Sequence, residues 1–312
     1  HGHRLLPADQ WHKLKDVMRR SWPQHVSGYT TLDTMEVIVS RGCDYSFTVY
    51  CPYGDIENGM VAVNNKVSNN VKDMTTSVPG VAGSSPADGT KNYLSLFFFY
   101  IFLLYFQEGL IEYIIQCPKD KTDVLEKAMR TTNILNHPKF EVPFVSDHVM
   151  DVVGRIIKEE WNAKVDYVNT TETYLLNRST PFDVELPPDF VFKHMTLDYI
   201  ELVDSVWPHR YDKSKWYFEL LTKAKLGYGL FHKDELLAWV YIKEMGALGH
   251  LYTLEKHRRK GYAEMIVKLM ANILMEQGRT TSAFCVVGNT TARNMYIKLG
   301  FDCVEVVTCG NR

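Results

Sequence analysis

The chain has 312 residues, which at ~150 residues per domain accommodates two domains with a sizeable core and excludes a peptide hormone or a disulfide-stapled mini-protein. Its 35 Lys and Arg against 37 Asp and Glu leave a formal net charge of −2, so bulk charge offers no attraction to nucleic acid or to an acidic membrane. With 46% hydrophobic, 23% charged and 12% aromatic residues, the composition is that of a folded globular protein.

In chain order, His1-Gly2-His3-Arg4 lacks an initiating Met and a following apolar stretch, and reads as a trimmed or tag-derived start without a secretory signal. An amphipathic helix pattern leads to Val17 and Trp22-Pro23, and Tyr45-Ser46-Phe47-Thr48-Val49-Tyr50 reads as a strand. Residues 64–92, rich in Asn, Ser, Gly, Pro and Thr, have little to bury and are expected to form a mobile loop. The aromatic run Leu94–Phe106 is shorter than the ~20 residues that a bilayer requires and is expected as buried strand, not membrane span. Turn residues and prolines at Asn177–Pro181 and Pro187-Pro188-Asp189 mark a boundary, giving domains 1–177 and 187–312. The pattern Val17-x-x-x-x-Trp22-Pro23 recurs as Leu202-x-x-x-x-Trp207-Pro208, each copy closing a helix pattern with a strand following; this suggests two related folds in tandem.

In the second half, strands are expected at 191–193, 227–231, 236–242, 248–254 and 282–287. Helices are expected at Glu264–Glu276, where Met265, Ile266, Leu269, Met270, Ile273 and Leu274 form an apolar stripe, and from Thr290 or Thr291 to Leu299. The alternation of strand and helix indicates an α/β domain. Six cysteines without a C-x-x-C pair, mostly in apolar runs, suit a reducing compartment. Neither the His and Cys spacing nor any G-x-S-x-G or G-x-x-x-x-G-K-[ST] motif supports a metal, serine-hydrolase or nucleotide-triphosphatase site.

Between the strand ending at Leu254 and the helix beginning near Glu264 lies Lys256-His257-Arg258-Arg259-Lys260-Gly261-Tyr262-Ala263. A Gly-containing turn at a helix start leaves N–H groups unpaired, and with basic neighbours it suits a phosphate or pyrophosphate; a solvated basic turn is the plain alternative. Arg258-x-x-Gly261-x-Ala263 alone is a loose pattern. Followed by Asn289-x-x-Ala292-x-x-x-Tyr296-x-x-Leu299-Gly300-Phe301, it resembles the acyl-CoA signature of the GNAT acyltransferase superfamily. Leu251-Tyr252-Thr253-Leu254-Glu255-x-His257-Arg258-x-x-Gly261, together with Trp207 and Trp239, is more narrowly similar to the glycine N-acyltransferase family. That likeness is strong after about Phe190 and faint before it, where Val49-Tyr50-Cys51-Pro52 has a counterpart.

The resemblance implies tandem GNAT-like α/β domains, each with a mixed sheet flanked by helices, the C-terminal copy carrying the acyl-CoA site and the N-terminal copy being degenerate. It implies that the amides of Arg259, Lys260, Gly261, Tyr262 and Ala263, beside Arg258 and Asn289, bind coenzyme A. The Leu251-Tyr252-Thr253 strand would pair with the pantetheine arm, where a backbone N–H could polarise the thioester carbonyl. Tyr296 matches the tyrosine that protonates the departing thiolate, although its helical face, shared with Ala292, Met295 and Leu299, equally fits a core aromatic. The family's base position falls on Ala247; His250, Glu244 or direct attack by neutral amine are the substitutes. The function implied is acyl transfer from acyl-CoA, as co-substrate and without a metal, to a small amine, glycine or another amino acid. An N-acetyltransferase for other amines or protein lysine, and a non-catalytic coenzyme A binding or protein-interaction domain, are the alternatives. The expected setting is intracellular, cytoplasmic or mitochondrial, with no nucleic-acid or membrane partner.

Overall fold

The tandem suggested by the Trp-Pro echo is visible as one order of elements used twice. The computed structural model describes residues 2–43, 45–65, 111–137, 139–211 and 214–312. Nearly all of the expected mobile loop, and the whole Leu94–Phe106 run, lie outside these residues. The first copy runs β1 (His3–Leu6), α1 (Trp11–Arg20), α2 (Val26–Ser40), β2 (Phe47–Pro52), β3 (Met60–Asn65), β4 (Ile111–Gln116), α3 (Thr122–Thr132), β5 (Phe140–Val145), α4 (Asp147–Trp161) and β6 (Asp166–Leu176). The second runs β7 (Phe190–His194), α5 (Ile200–Ser205), α6 (Lys215–Lys223), β8 (Gly227–His232), β9 (Glu235–Ile242), β10 (Ala247–Thr253), α7 (Tyr262–Glu276), β11 (Ser282–Val286), α8 (Thr290–Lys298) and β12 (Phe301–Asn311). Trp22 follows α1 and Trp207 follows α5, so the echo marks equivalent places.

Six strands lie outside the expected set: β1, β3, β4, β5, β6 and β12. Residues 3–6, read as a passive start, pair antiparallel with β2 from His3↔Pro52 to Leu6↔Val49. β6 and β12 were not anticipated at all, and they form the centre of the sheet. The strand order is β1-β2-β3-β4-β5-β12-β6-β11-β10-β9-β8-β7. The last strand of each copy has therefore crossed over: β12 pairs with β5 of the first copy, β6 pairs with β11 of the second, and the two lie antiparallel against each other along nearly their whole length.

Helices cover this mixed sheet with the faces that their periodicity dictates. In α7 the buried side chains are Ile266, Val267, Met270, Ala271 and Leu274, which rotates the inner face by about one residue from the expected stripe and leaves Met265 and Ile273 at its edge. One apolar cluster draws residues from both copies, among them Leu14, Leu32, Phe218, Trp239, Met270 and Tyr296. A second cluster, confined to the first copy and drawing nothing from α1 or α2, places Leu125 and Met129 of α3 and Val153 and Ile157 of α4 against β4 and β5. Among the described residues no helix is long and apolar enough to cross a membrane.

Candidate active site

β10 and β11 start side by side and then part. They pair in parallel only at Ala247↔Ser282 and Leu248↔Ala283. Beyond this the register of β10 against β9 shifts between Gly249 and Tyr252, and His250 adopts a left-handed φ of +51°. The edge of β10 that carries Leu251, Tyr252 and Thr253 has consequently lost its neighbour in the sheet, and all three residues are half-buried. Such an edge offers main-chain donors and acceptors to an extended ligand.

The parting strands open on a cavity of about 520 Å³. Its second-copy wall includes Trp207, Tyr217, Lys243, Glu244, His250 and Tyr252, and its first-copy wall includes Glu112, Glu141 and Phe144. The His250 ring lies among Trp207, Tyr217 and Phe218, with ring centroids 5.3, 5.5 and 4.9 Å away. Its Nε2 is 3.4 Å from the Tyr217 hydroxyl, which itself donates to the buried Glu244 carboxylate. Burial first, and then the neighbouring Glu244 charge, push the Tyr217 hydroxyl well above its ordinary range, so it remains a proton donor. With its proton directed at Glu244, the Tyr217 oxygen keeps a lone pair towards His250 Nε2. On the opposite wall Glu112 is buried and accepts from Asn64 Nδ2 at 3.0 Å.

At the far end of β10 the turn into α7 has the form that its sequence implies. Gly261, at φ +81°, is the N-cap, a conformation that β-carbon-bearing residues rarely adopt, and a side chain there would meet nothing within 4 Å. The first backbone bond of the helix is Met265 N–H to Gly261 O at 3.0 Å. The amides of Arg259, Lys260, Gly261, Tyr262 and Ala263 find no backbone acceptor among the described residues, and no side chain caps them. Residues 258–261 are exposed. Arg258 is held back against β10, donating to Thr253 O and to the Tyr252 hydroxyl, each at 3.2 Å. Lys256 and His257 both face Glu235, at 2.5 and 3.1 Å, whereas Arg259 and Lys260 form no ion pair among the described residues. The equivalent turn in the first copy begins Cys117-Pro118, has no glycine and carries Asp120, features that remove an N–H and add a repelling charge.

The remaining expected residues sit on or beside α8. Asn289 is its N-cap, accepting from the Ala292 amide at 3.1 Å. Tyr296 is only 4% exposed, stacked on Tyr174 of β6 with centroids 5.6 Å apart and tilted against Phe301 at 5.3 Å. Burial pushes its hydroxyl up, and that hydroxyl makes no hydrogen bond among the described residues. Tyr296 is not among the residues that bound the cavity. Sequence reasoning missed Tyr217, Lys243 and the first-copy wall; the pairing of Glu112 with this cavity depends on the strand exchange, for which no local pattern exists. Among the described residues no group of three or more His, Cys, Asp or Glu side chains is arranged to hold a metal ion.

Residues 227–308 match the family model described as FR47-like protein. An X-ray structure of a Drosophila protein superposes with a TM-score of 0.73 at 14% identity, covering 99% of this chain and 98% of that one. The tandem GNAT protein from the clavulanic acid biosynthesis pathway superposes with a TM-score of 0.50 at 9% identity, covering 99% and 97%. No curated protein sequence matches significantly. Identities this low speak for the fold alone, and the fold is the GNAT fold used twice, with a mixed sheet flanked by helices.

Proposed function

We propose that the protein is an acyl-CoA-dependent N-acyltransferase that works in its second half, with a small amine, glycine or another amino acid, as acceptor. The observation that carries this reading is the continuity of one strand. The open edge of β10 at Leu251–Thr253 leads directly into the turn whose amides at 259–263 lack acceptors. An extended arm ending in a pyrophosphate matches that sequence of donors: the arm adds to the strand edge, and the phosphates meet the amides, the helix end and the basic side chains of Arg259 and Lys260.

The chemistry follows from that alignment. The neutral amine nitrogen attacks the thioester carbonyl, the oxyanion is held by a main-chain N–H of the β10 edge, and the C–S bond breaks as the amide forms. His250 takes the proton that the amine loses, with Tyr217 and Glu244 behind it fixing its orientation. Tyr296 supplies a proton to the thiolate; its hydroxyl is protonated at neutral pH as any tyrosine is, and burial shifts it further up. Glu112, Glu141 and Phe144 give the first half its part, which is to close the acceptor side of the cavity.

A free-thiol assay with acetyl-, benzoyl-, phenylacetyl- and long-chain acyl-CoA against glycine, glutamine, polyamines and arylamines tests this reading. Thiol release that depends on an amine is expected, with glycine among the accepted amines. Coenzyme A binding without turnover against any amine would instead identify a non-catalytic coenzyme A binding protein.

A further inference from the structure

Lys243 follows β9, and its amide donates to Ala247 O at 2.9 Å to close the turn into β10. Its stem lies flat across Gly249: a β-carbon at Gly249 would fall 2.6 Å from Lys243 Cδ and 2.7 Å from Cγ. Only glycine leaves room for that path. The ammonium ends 4.5 Å over the ring of Phe144, which is itself stacked on Phe284 with centroids 4.0 Å apart. Lys243 thus reaches from the second copy to a residue of the first, along the boundary of the 520 Å³ cavity.

The ammonium is not committed to an anion. Lys256, Lys268 and Lys298 each meet a carboxylate, at 2.5, 3.0 and 2.7 Å, whereas Lys243 Nζ has neither an ion-pair nor a hydrogen-bond partner among the described residues. A ring face attracts a cation but accepts none of its three N–H bonds in the way that a carboxylate does. Lys243 crosses β10 at Gly249, two residues before the Leu251–Thr253 edge assigned above to the acyl donor. Glu112, Glu141 and Glu244 bound the same cavity, so both signs of charge face it.

We propose that Lys243 is the specificity-determining residue that pairs with the carboxylate of the acceptor, so that the acceptor is an amino acid and not a polyamine or an arylamine. This rests on the acyltransferase reading. An α-amino acid carries its carboxylate one carbon from the attacking nitrogen, which suits a cation placed beside the acyl-donor strand.

The test compares glycine with glycinamide, the same amine without the carboxylate, using the best acyl-CoA donor. Wild type is expected to favour glycine in kcat/KM. Lys243→Met should lower the glycine-to-glycinamide ratio about 10- to 100-fold, mainly through KM for glycine, as loss of a charge-assisted pair does. Lys243→Arg should restore part of the ratio, and Gly249→Ala, which displaces the stem, should shift it in the same direction as Lys243→Met. Thermal unfolding and calorimetric coenzyme A affinity of each variant exclude a folding defect as the cause. A wild type that uses glycinamide as well as glycine, or a Lys243→Met ratio equal to that of wild type, overturns this inference while leaving the acyltransferase reading intact. Absence of transfer to any amine overturns both.

Discussion

Tyr296 shows how one side chain can satisfy two descriptions at once. Its ring belongs to the core, packed between Tyr174 and Phe301, and its hydroxyl is without a hydrogen-bond partner among the described residues. Unlike the Tyr45 hydroxyl, the Tyr296 oxygen is not fully enclosed, so water can satisfy it and packing alone accounts for the ring. The variant Tyr296→Phe keeps the stack and removes only the oxygen. If the hydroxyl protonates the leaving thiolate, Tyr296→Phe lowers kcat by ~10²–10⁴-fold, the range for removal of a positioned acid. Coenzyme A affinity and thermal unfolding should stay close to wild type. Steady-state kinetics beside calorimetry separate the cases: an unchanged kcat makes Tyr296 a core aromatic and nothing more. The sequence supplied both descriptions of this residue, since helical spacing puts Tyr296 on the apolar face whichever is true. It could not supply Tyr174, which arrives from a strand more than a hundred residues away.

Among the elements, the turn from β10 into α7 was the most legible, because its signals are local. A strand, basic residues, a glycine and an amphipathic helix follow one another without interruption, and the conformation they need is set by Gly261 at φ +81°. Gly261→Glu places a bulky side chain in a left-handed conformation and a negative charge beside amides proposed to hold phosphate. Coenzyme A binding should fall below detection by calorimetry while the fold persists, since nothing lies within 4 Å of the new β-carbon. Unchanged affinity would move the phosphate site elsewhere. β6 and β12 were illegible for the opposite reason. Thr171, Thr173 and Thr308 are buried in these strands, so polar residues occupy interior positions and the apolar alternation that marks a half-buried strand is lost. What specifies them is pairing with each other and with β5 and β11, which is invisible to any window along the chain.

At the scale of the whole molecule, the exchange of β6 and β12 alters what the boundary near Asn177 means. The Trp-Pro echo marks equivalent places in the two copies, yet a chain cut near Asn177 does not yield two finished sheets. Without β12 the first copy ends at an open β5, and without β6 the second ends at an open β11; unpaired edges of this kind promote aggregation. Further bonds join the copies, among them Thr30 Oγ1 to Met245 O at 2.7 Å and the Arg279 guanidinium to Asp33 and Thr34 at 2.9 and 2.8 Å. The connecting residues 187–189 are exposed, so a site-specific protease sequence can be placed there with little disturbance of the sheet. After cleavage the two pieces should elute together from a size-exclusion column in native buffer and retain the coenzyme A affinity of the intact chain. They should part only in denaturant, and each piece refolded alone should aggregate. Pieces that separate under native conditions, each remaining soluble, would show that the exchanged strands are not what binds the two copies into one structure.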